Sequence, residues 1–120
     1  MKLILFEDDP LILVCAEDAL VDAGFEVSTA TTAADALELL SDTPECLAIM
    51  VDVRLNGAMD GWEVARRARS AFPDIAIIYT TTADTLSYER EAVDRSILLQ
   101  KPYSLELAVK AALEACEKVR

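Results

Sequence analysis

The sequence predicts an α/β fold: a doubly wound, five-stranded parallel sheet with helices on both faces. Short apolar runs of strand length alternate with longer amphipathic segments along all 120 residues. Most of these runs lack the polar alternation of a half-exposed strand, which indicates strands covered on both faces. No linker, repeat or low-complexity stretch interrupts the alternation. We therefore expect a single domain over residues 1–120.

Five apolar runs mark the strands. The run at Phe25–Thr29 is the weakest of them, because polar residues alternate along it. The other four are nearly continuous and lie at Lys2–Phe6, Leu47–Val51, Ile75–Tyr79 and Ile97–Leu99.

The first helix has recognisable ends. Asp9-Pro10 is typical of an N-cap followed by the first helical residue, and Gly24 closes the helix. The four-residue spacing of Leu11, Cys15 and Ala19 predicts its buried face.

Capping residues also mark the later helices. Thr32 and Asp60 each begin a capping box, and Ser104 precedes the last helix. The segment Asp84–Val93 is the poorest helix, since its apolar stripe is thin. The resulting order is βα repeated five times, which is too short for an eight-fold barrel. An open flavodoxin-like (βα)5 sheet with strand order 2-1-3-4-5 and right-handed crossovers remains.

The charge of the chain excludes several functions. Eleven Lys+Arg against 22 Asp+Glu give a net charge of −11, and residues 1–53 hold twelve acids and one base. Such a chain repels phosphate backbones, so we expect no nucleic-acid partner. The absence of histidine excludes Ser-His-Asp and Cys-His catalysis and any histidine-ligated metal.

The cysteines and the apolar runs indicate a cytoplasmic protein with no membrane contact. The three cysteines are far apart and form no C-x-x-C pair, which favours buried free thiols in a reducing compartment. The first apolar run is too short for a signal peptide, and no window approaches the length of a membrane span.

Charged and hydroxyl residues follow four of the predicted strands. Glu7 and Asp8 follow the first strand, Asp52 the third, Thr81 the fourth and Lys101 the fifth. In an open α/β sheet, ligands bind beyond the carboxyl ends of the strands. We therefore expect three carboxylates, a hydroxyl and an ammonium to converge at one edge.

Three carboxylates at short range require a cation, because mutual repulsion otherwise raises the pKa of one of them. Oxygen ligands without nitrogen or sulfur suit Mg²⁺. A lysine and a hydroxyl opposite the metal suit a phosphoryl group, and Asp52 at the centre can act as the nucleophile.

These residues, together with Pro102 after Lys101, resemble the receiver domain of two-component response regulators over nearly the whole chain. The resemblance implies that Asp52 accepts a phosphoryl group from a histidine kinase or a histidine phosphotransfer protein. It implies that Glu7, Asp8, Asp52 and the backbone carbonyl of Arg54 hold Mg²⁺. It also implies that Lys101 pairs with the phosphate.

Further expectations follow from the same resemblance. Thr81 would report phosphorylation by moving toward the phosphate, and the Lys101-Pro102 bond would be cis. Such a chain catalyses only its own phosphorylation and dephosphorylation. With no output domain expected, it would signal by contact with an unknown downstream protein.

The chain departs from the usual receiver pattern at several positions, and two of them bear on the switch. Leu98 replaces a Phe or Tyr that normally turns inward with the threonine, and Thr82 replaces Ala or Gly. These departures leave open a phosphorylation-independent interaction module. A small aspartate-based phosphohydrolase is a further alternative, although Arg54 stands where those enzymes carry a second aspartate. We interpret Arg66, Arg67 and Arg69 as a solvated helix face, and Trp62 as a packing residue.

Overall fold

The computed structural model of the chain describes residues 1–53, 61–82 and 85–118. Five strands form one parallel sheet in the order β2-β1-β3-β4-β5, as the sequence predicts. The strands are β1 Lys2–Phe6, β2 Glu26–Ala30, β3 Cys46–Val53, β4 Ala76–Thr81 and β5 Ser96–Gln100. The helices are α1 Pro10–Asp22, α2 Ala33–Asp42, α3 Gly61–Ala71, α4 Thr85–Glu91 and α5 Leu105–Lys118.

The sheet separates two apolar layers. Helices α1 and α5 cover one face, on which Leu3, Met50 and Ile78 are fully buried. Helices α2 and α3, with Tyr88 of α4, cover the opposite face, on which Ile49 and Tyr79 are fully buried. Successive side chains of a strand point to opposite faces, so every central strand contributes to both layers.

Helix α1 begins as predicted but buries a different face. The Asp9 carboxylate accepts hydrogen bonds from the backbone N–H groups of Leu11 at 3.0 Å and Ile12 at 3.4 Å. The buried residues of α1 are Ala16 and Leu20, whereas Leu11 is 73% exposed. Residues 11–16 of this helix are all apolar, so four-residue spacing could not identify its inner face.

Two other predictions from the sequence are wrong. Cys15 is exposed on the outer side of α1, while Cys46 and Cys116 are buried as expected. The Arg69 side chain is only 10% exposed and donates to the backbone carbonyls of Ile75 and Asp94. It is therefore a structural residue rather than part of a solvated face.

Other expectations lie partly outside the described residues. The capping role of Asp60 and the start of the segment at Asp84 fall there. Trp62 is 4% exposed and packs in the core, as predicted. Within the described residues, we find no helix that is both long and apolar enough to span a membrane.

Candidate functional site

Four parallel strands end at the same edge of the sheet and place polar groups together there. Glu7 directly follows β1, Asp52 lies one residue before the end of β3, Thr81 ends β4 and Lys101 directly follows β5. The hydrogen bonding of the sheet continues to this point, since the Lys101 N–H donates to the Thr81 carbonyl at 2.8 Å. The position of the lysine backbone is thus fixed by strand pairing.

The Lys101 ammonium lies between two buried carboxylates. Its Nζ atom is 2.7 Å from Glu7 Oε1 and donates a hydrogen bond to Asp52 Oδ1 at 3.1 Å. The residues Glu7 and Asp52 are 1% and 5% exposed. Burial of charge is costly without a partner, so the ammonium stabilises both acids in this position.

Asp8 completes a cluster of three acids. Carboxylate oxygens of Glu7, Asp8 and Asp52 lie within 4.8 Å of one another. Glu7 Oε2 accepts a hydrogen bond from the Asp9 N–H at 3.1 Å, whereas Oε1 meets Lys101 as an ion pair without hydrogen-bond geometry. Three acids meet the Lys101 ammonium here, and carboxylate oxygens at this spacing suit a hard cation such as Mg²⁺.

The environment of Asp52 favours its protonated form. Burial, followed by the negative charge of Glu7, raises the pKa of Asp52 to about 6, and the ammonium of Lys101 only partly opposes this shift. The repulsion expected from the sequence is therefore present. Burial alone would lower the pKa of Lys101, but its ion pair with Glu7 and the charge of Asp52 raise that pKa instead.

The threonines at the end of β4 occupy different surroundings. Thr80 and Thr81 are buried, and Thr81 pairs in register with Val53 at the end of β3. Thr82 is exposed. The Lys101-Pro102 bond is cis, as predicted. Arg54, whose carbonyl we expect among the metal ligands, lies outside the described residues.

A groove of about 420 Å³ lies beside Lys101, between α1 and the start of α5. Reasoning from the sequence missed Tyr103, which lines this groove. Burial, then the charge of Glu7, raises the pKa of Tyr103 to about 12. Its place directly after Lys101-Pro102 is the signal that could have drawn attention to it. The lining residues are Leu11, Ile12, Cys15, Thr82, Lys101, Pro102, Tyr103 and Leu105.

Comparison with known proteins finds response regulators among the relatives of this chain. The receiver protein CpdR of Brucella abortus is 33% identical over 106 residues, which cover 87% of each chain. The response regulator MprA of Mycobacterium avium is 30% identical over 109 residues, which cover 88% of this chain and 46% of that protein. The chain thus spans about half the length of such relatives.

A solved structure shows the same fold throughout. The response regulator receiver protein of Sinorhizobium medicae matches with a TM-score of 0.92 at 29% identity, covering 100% of this chain and 97% of the other. The family model described as response regulator receiver domain matches residues 3–113. With the acid cluster, the lysine and the strand order already in place, this match shows that the chain belongs to the response regulator receiver domain family.

Proposed function

We propose that the chain is a signalling switch in which Asp52 accepts a phosphoryl group from a phosphohistidine on a partner protein. One observation carries the proposal: a buried carboxylate at the end of β3 lies 3.1 Å from an ammonium and beside two further acids. Receiver domains are phosphoacceptor switches of two-component systems rather than enzymes that turn over a separate substrate.

The transfer step assigns a role to each charge. An Asp52 oxygen attacks phosphorus, the new P–O bond forms as the P–N bond breaks, and the leaving imidazole nitrogen keeps the electron pair. Lys101 Nζ, already in contact with Asp52, offsets the negative charge of the phosphoryl oxygens. Hydrolysis of the aspartyl phosphate by water resets the switch, so the chain catalyses only its own modification.

We infer that the metal is Mg²⁺, held by Glu7, Asp8, Asp52 and the backbone carbonyl of Arg54. Receiver domains generally use this ion, and the cluster of three carboxylates fits it. When bound, Mg²⁺ would neutralise charge on the acids and on the incoming phosphoryl oxygens. Glu7 keeps a second role, since its carboxylate pairs with Lys101 and accepts a hydrogen bond from the Asp9 N–H just before α1.

We assign Thr81 the role of sensing the phosphoryl group. Its side chain is buried at the end of β4, beside the end of β3. A hydroxyl at this position can donate to a phosphoryl oxygen after a small movement. Such a movement would carry the state of Asp52 into β4.

The surface around the site indicates what kind of partner protein could bind there. Because Asp52 is 5% exposed, a donor histidine reaches it only if the donor protein covers the edge of the sheet. Beside that edge lie the groove and the outward apolar side chains of Leu11 and Val14, which are 73% and 52% exposed. This surface supports a histidine kinase or histidine phosphotransfer protein with an apolar contact face. The proposal also includes signalling through a separate downstream protein.

Phosphorylation with acetyl phosphate tests the proposal. Wild-type protein with Mg²⁺ should gain the mass of one phosphate, and either chelation of Mg²⁺ or the substitution Asp52→Asn should abolish the gain. Asp18→Asn, at an exposed position of α1, serves as the matched control and should label like the wild type. Mass spectrometry of the intact protein provides the measurement.

Three results would contradict this assignment. Labelling that persists in Asp52→Asn would place the acceptor elsewhere. Wild-type protein that takes up no phosphate would favour the phosphorylation-independent interaction module. Sustained turnover of a small phosphate ester would instead revive the phosphohydrolase.

A further inference from the structure

Residue 98 is leucine, so the aromatic side chain that many receiver domains carry on β5 is replaced. We propose that Tyr79 on β4 couples the phosphoacceptor strand to the connection between α4 and β5, residues 92–95. This proposal rests on the proposed function of Asp52 and adds the regulation of that same site.

The input side of this coupling is the close contact between β3 and α3. A Cβ atom on Gly61 would lie 2.5 Å from the Asp52 carbonyl oxygen and 2.6 Å from the Val51 side chain. The first residue of α3 therefore already touches the backbone of the acceptor. Close-packed interiors transmit displacement, so a shift at the end of β3 reaches the first turn of α3 and its next residue, Trp62.

Tyr79 contacts both α3 and α4. Its ring centroid lies 4.7 Å from that of Trp62 and 5.8 Å from that of Tyr88, the latter in an edge-to-face arrangement. In the register of the sheet it is paired with Leu98, so an aromatic ring is present beside the usual position but on the neighbouring strand. Tyr79 also lies two residues before Thr81, on the same face of β4.

The output side is a hydrogen bond from the connection to the tyrosine hydroxyl. The Val93 N–H donates to Tyr79 Oη at 3.0 Å, and Ser96 Oγ donates to the Val93 carbonyl at 2.7 Å. Arg69 of α3 donates to the carbonyls of Asp94 at 2.8 Å and Arg95 at 3.2 Å. The connection is thus held by side chains of β4 and α3, the two elements that meet the acceptor strand.

The same contacts exclude a switch in which the Tyr79 ring rotates between a buried and an exposed position. Tyr79 is fully buried and its hydroxyl is bonded, so its ring cannot swing to the surface as an exposed aromatic can. Arg95 has a φ of +54°, a strained conformation for a residue with a side chain, which the contacts from α3 hold in place. Movement of β4 would therefore shift the connection itself. By linkage, a partner that binds this connection alters the phosphorylation equilibrium of Asp52.

Amide hydrogen exchange in residues 94–100 tests the coupling, with the phosphorylated fraction measured on the same samples. In the wild type, acetyl phosphate with Mg²⁺ should change the exchange rate there by about threefold or more. Tyr79→Phe removes only the hydroxyl, so it should reach the same phosphorylated fraction while losing most of that change. Tyr88→Phe is the matched control: it removes a hydroxyl bonded to Ser96 but leaves the link to β4, and should respond like the wild type.

A second variant covers the case in which Tyr79→Phe is too unstable to use. Trp62→Leu interrupts the input side while the tyrosine hydroxyl stays in place, and it should also lose the response. A full response in either variant, or a phosphorylated wild type without any response, overturns the coupling alone. A wild type that takes up no phosphate overturns the proposed function and the coupling with it.

Discussion

At the scale of single residues, Asp52 contributes a pH-dependent part of the stability of the metal-free protein. Its pKa is raised from 3.8 to about 6, chiefly by burial, so the folded state resists ionisation of this carboxyl group. The stabilisation that protonation provides is fully present below pH 3.8 and is lost as the pH rises through 6.

Asp52→Asn should therefore stabilise the chelator-treated protein at pH 8, by at most about 3 kcal/mol, and have little effect near pH 4. Urea unfolding at the two pH values measures this difference. Asp18→Asn removes the same charge from an exposed position of α1 and should give equal, small effects at both. An Asp52→Asn variant that is less stable at pH 8 than the wild type would refute the argument.

Single residues also show which parts of the site could be read from the sequence. The acids and Lys101 were predictable because each directly follows an apolar run, and the carboxyl ends of parallel strands must meet. Tyr79 was not, because a tyrosine inside such a run is indistinguishable from a packing residue. The role of Arg69 also depends on the path of the connection after α4, which the sequence pattern does not give.

At the scale of elements, the contact between α3 and β3 is the most sensitive to added volume. Gly61→Ala would insert a methyl group 2.5 Å from a backbone oxygen, which no side-chain rotation can relieve. We expect it to lower the free energy of unfolding by about 2 kcal/mol or more. Gly24→Ala is the control, since it has open space around it and a φ of +102°.

For Gly24→Ala only backbone strain applies, and the expected loss is about 1 kcal/mol. Denaturant unfolding followed by circular dichroism compares the two variants. Equal losses, or a larger loss for Gly24→Ala, would show that α3 can move away from β3 without cost. That result would also weaken the input side of the Tyr79 coupling.

The strands could be predicted more reliably than the faces of the helices. Continuous apolar runs locate β1, β3 and β4 because both sides of these strands are covered. The same reasoning fails for helix α1, since residues 11–16 are all apolar and Leu11 faces solvent. Only the tertiary contacts decide which side of such a helix is buried.

At the scale of the whole molecule, the net charge of −11 destabilises the compact state by self-repulsion. Raising the ionic strength shortens the Debye length to about 8 Å at 0.15 M and screens this repulsion. Exposed ion pairs such as Arg67–Glu63 are also screened, but each contributes at most about 1 kcal/mol. We therefore expect added NaCl to raise the melting temperature at neutral pH.

Differential scanning calorimetry across a series of NaCl concentrations measures this effect. The measurements are made at constant pH with a chelator present, so that neither metal binding nor the titration of Asp52 contributes. A melting temperature that falls with salt would mean that local ion pairs outweigh the long-range repulsion.

The division of the core into two layers bears on where two partner proteins could bind this domain. The groove beside Lys101 opens on the α1 and α5 side, whereas Tyr79 and the connection it holds lie on the α3 and α4 side. A protein that delivers phosphate and a protein that reads its presence would therefore meet opposite faces of the sheet. Under the proposed function, both proteins could then bind one molecule at the same time, and the downstream protein could bind before the phosphate donor dissociates.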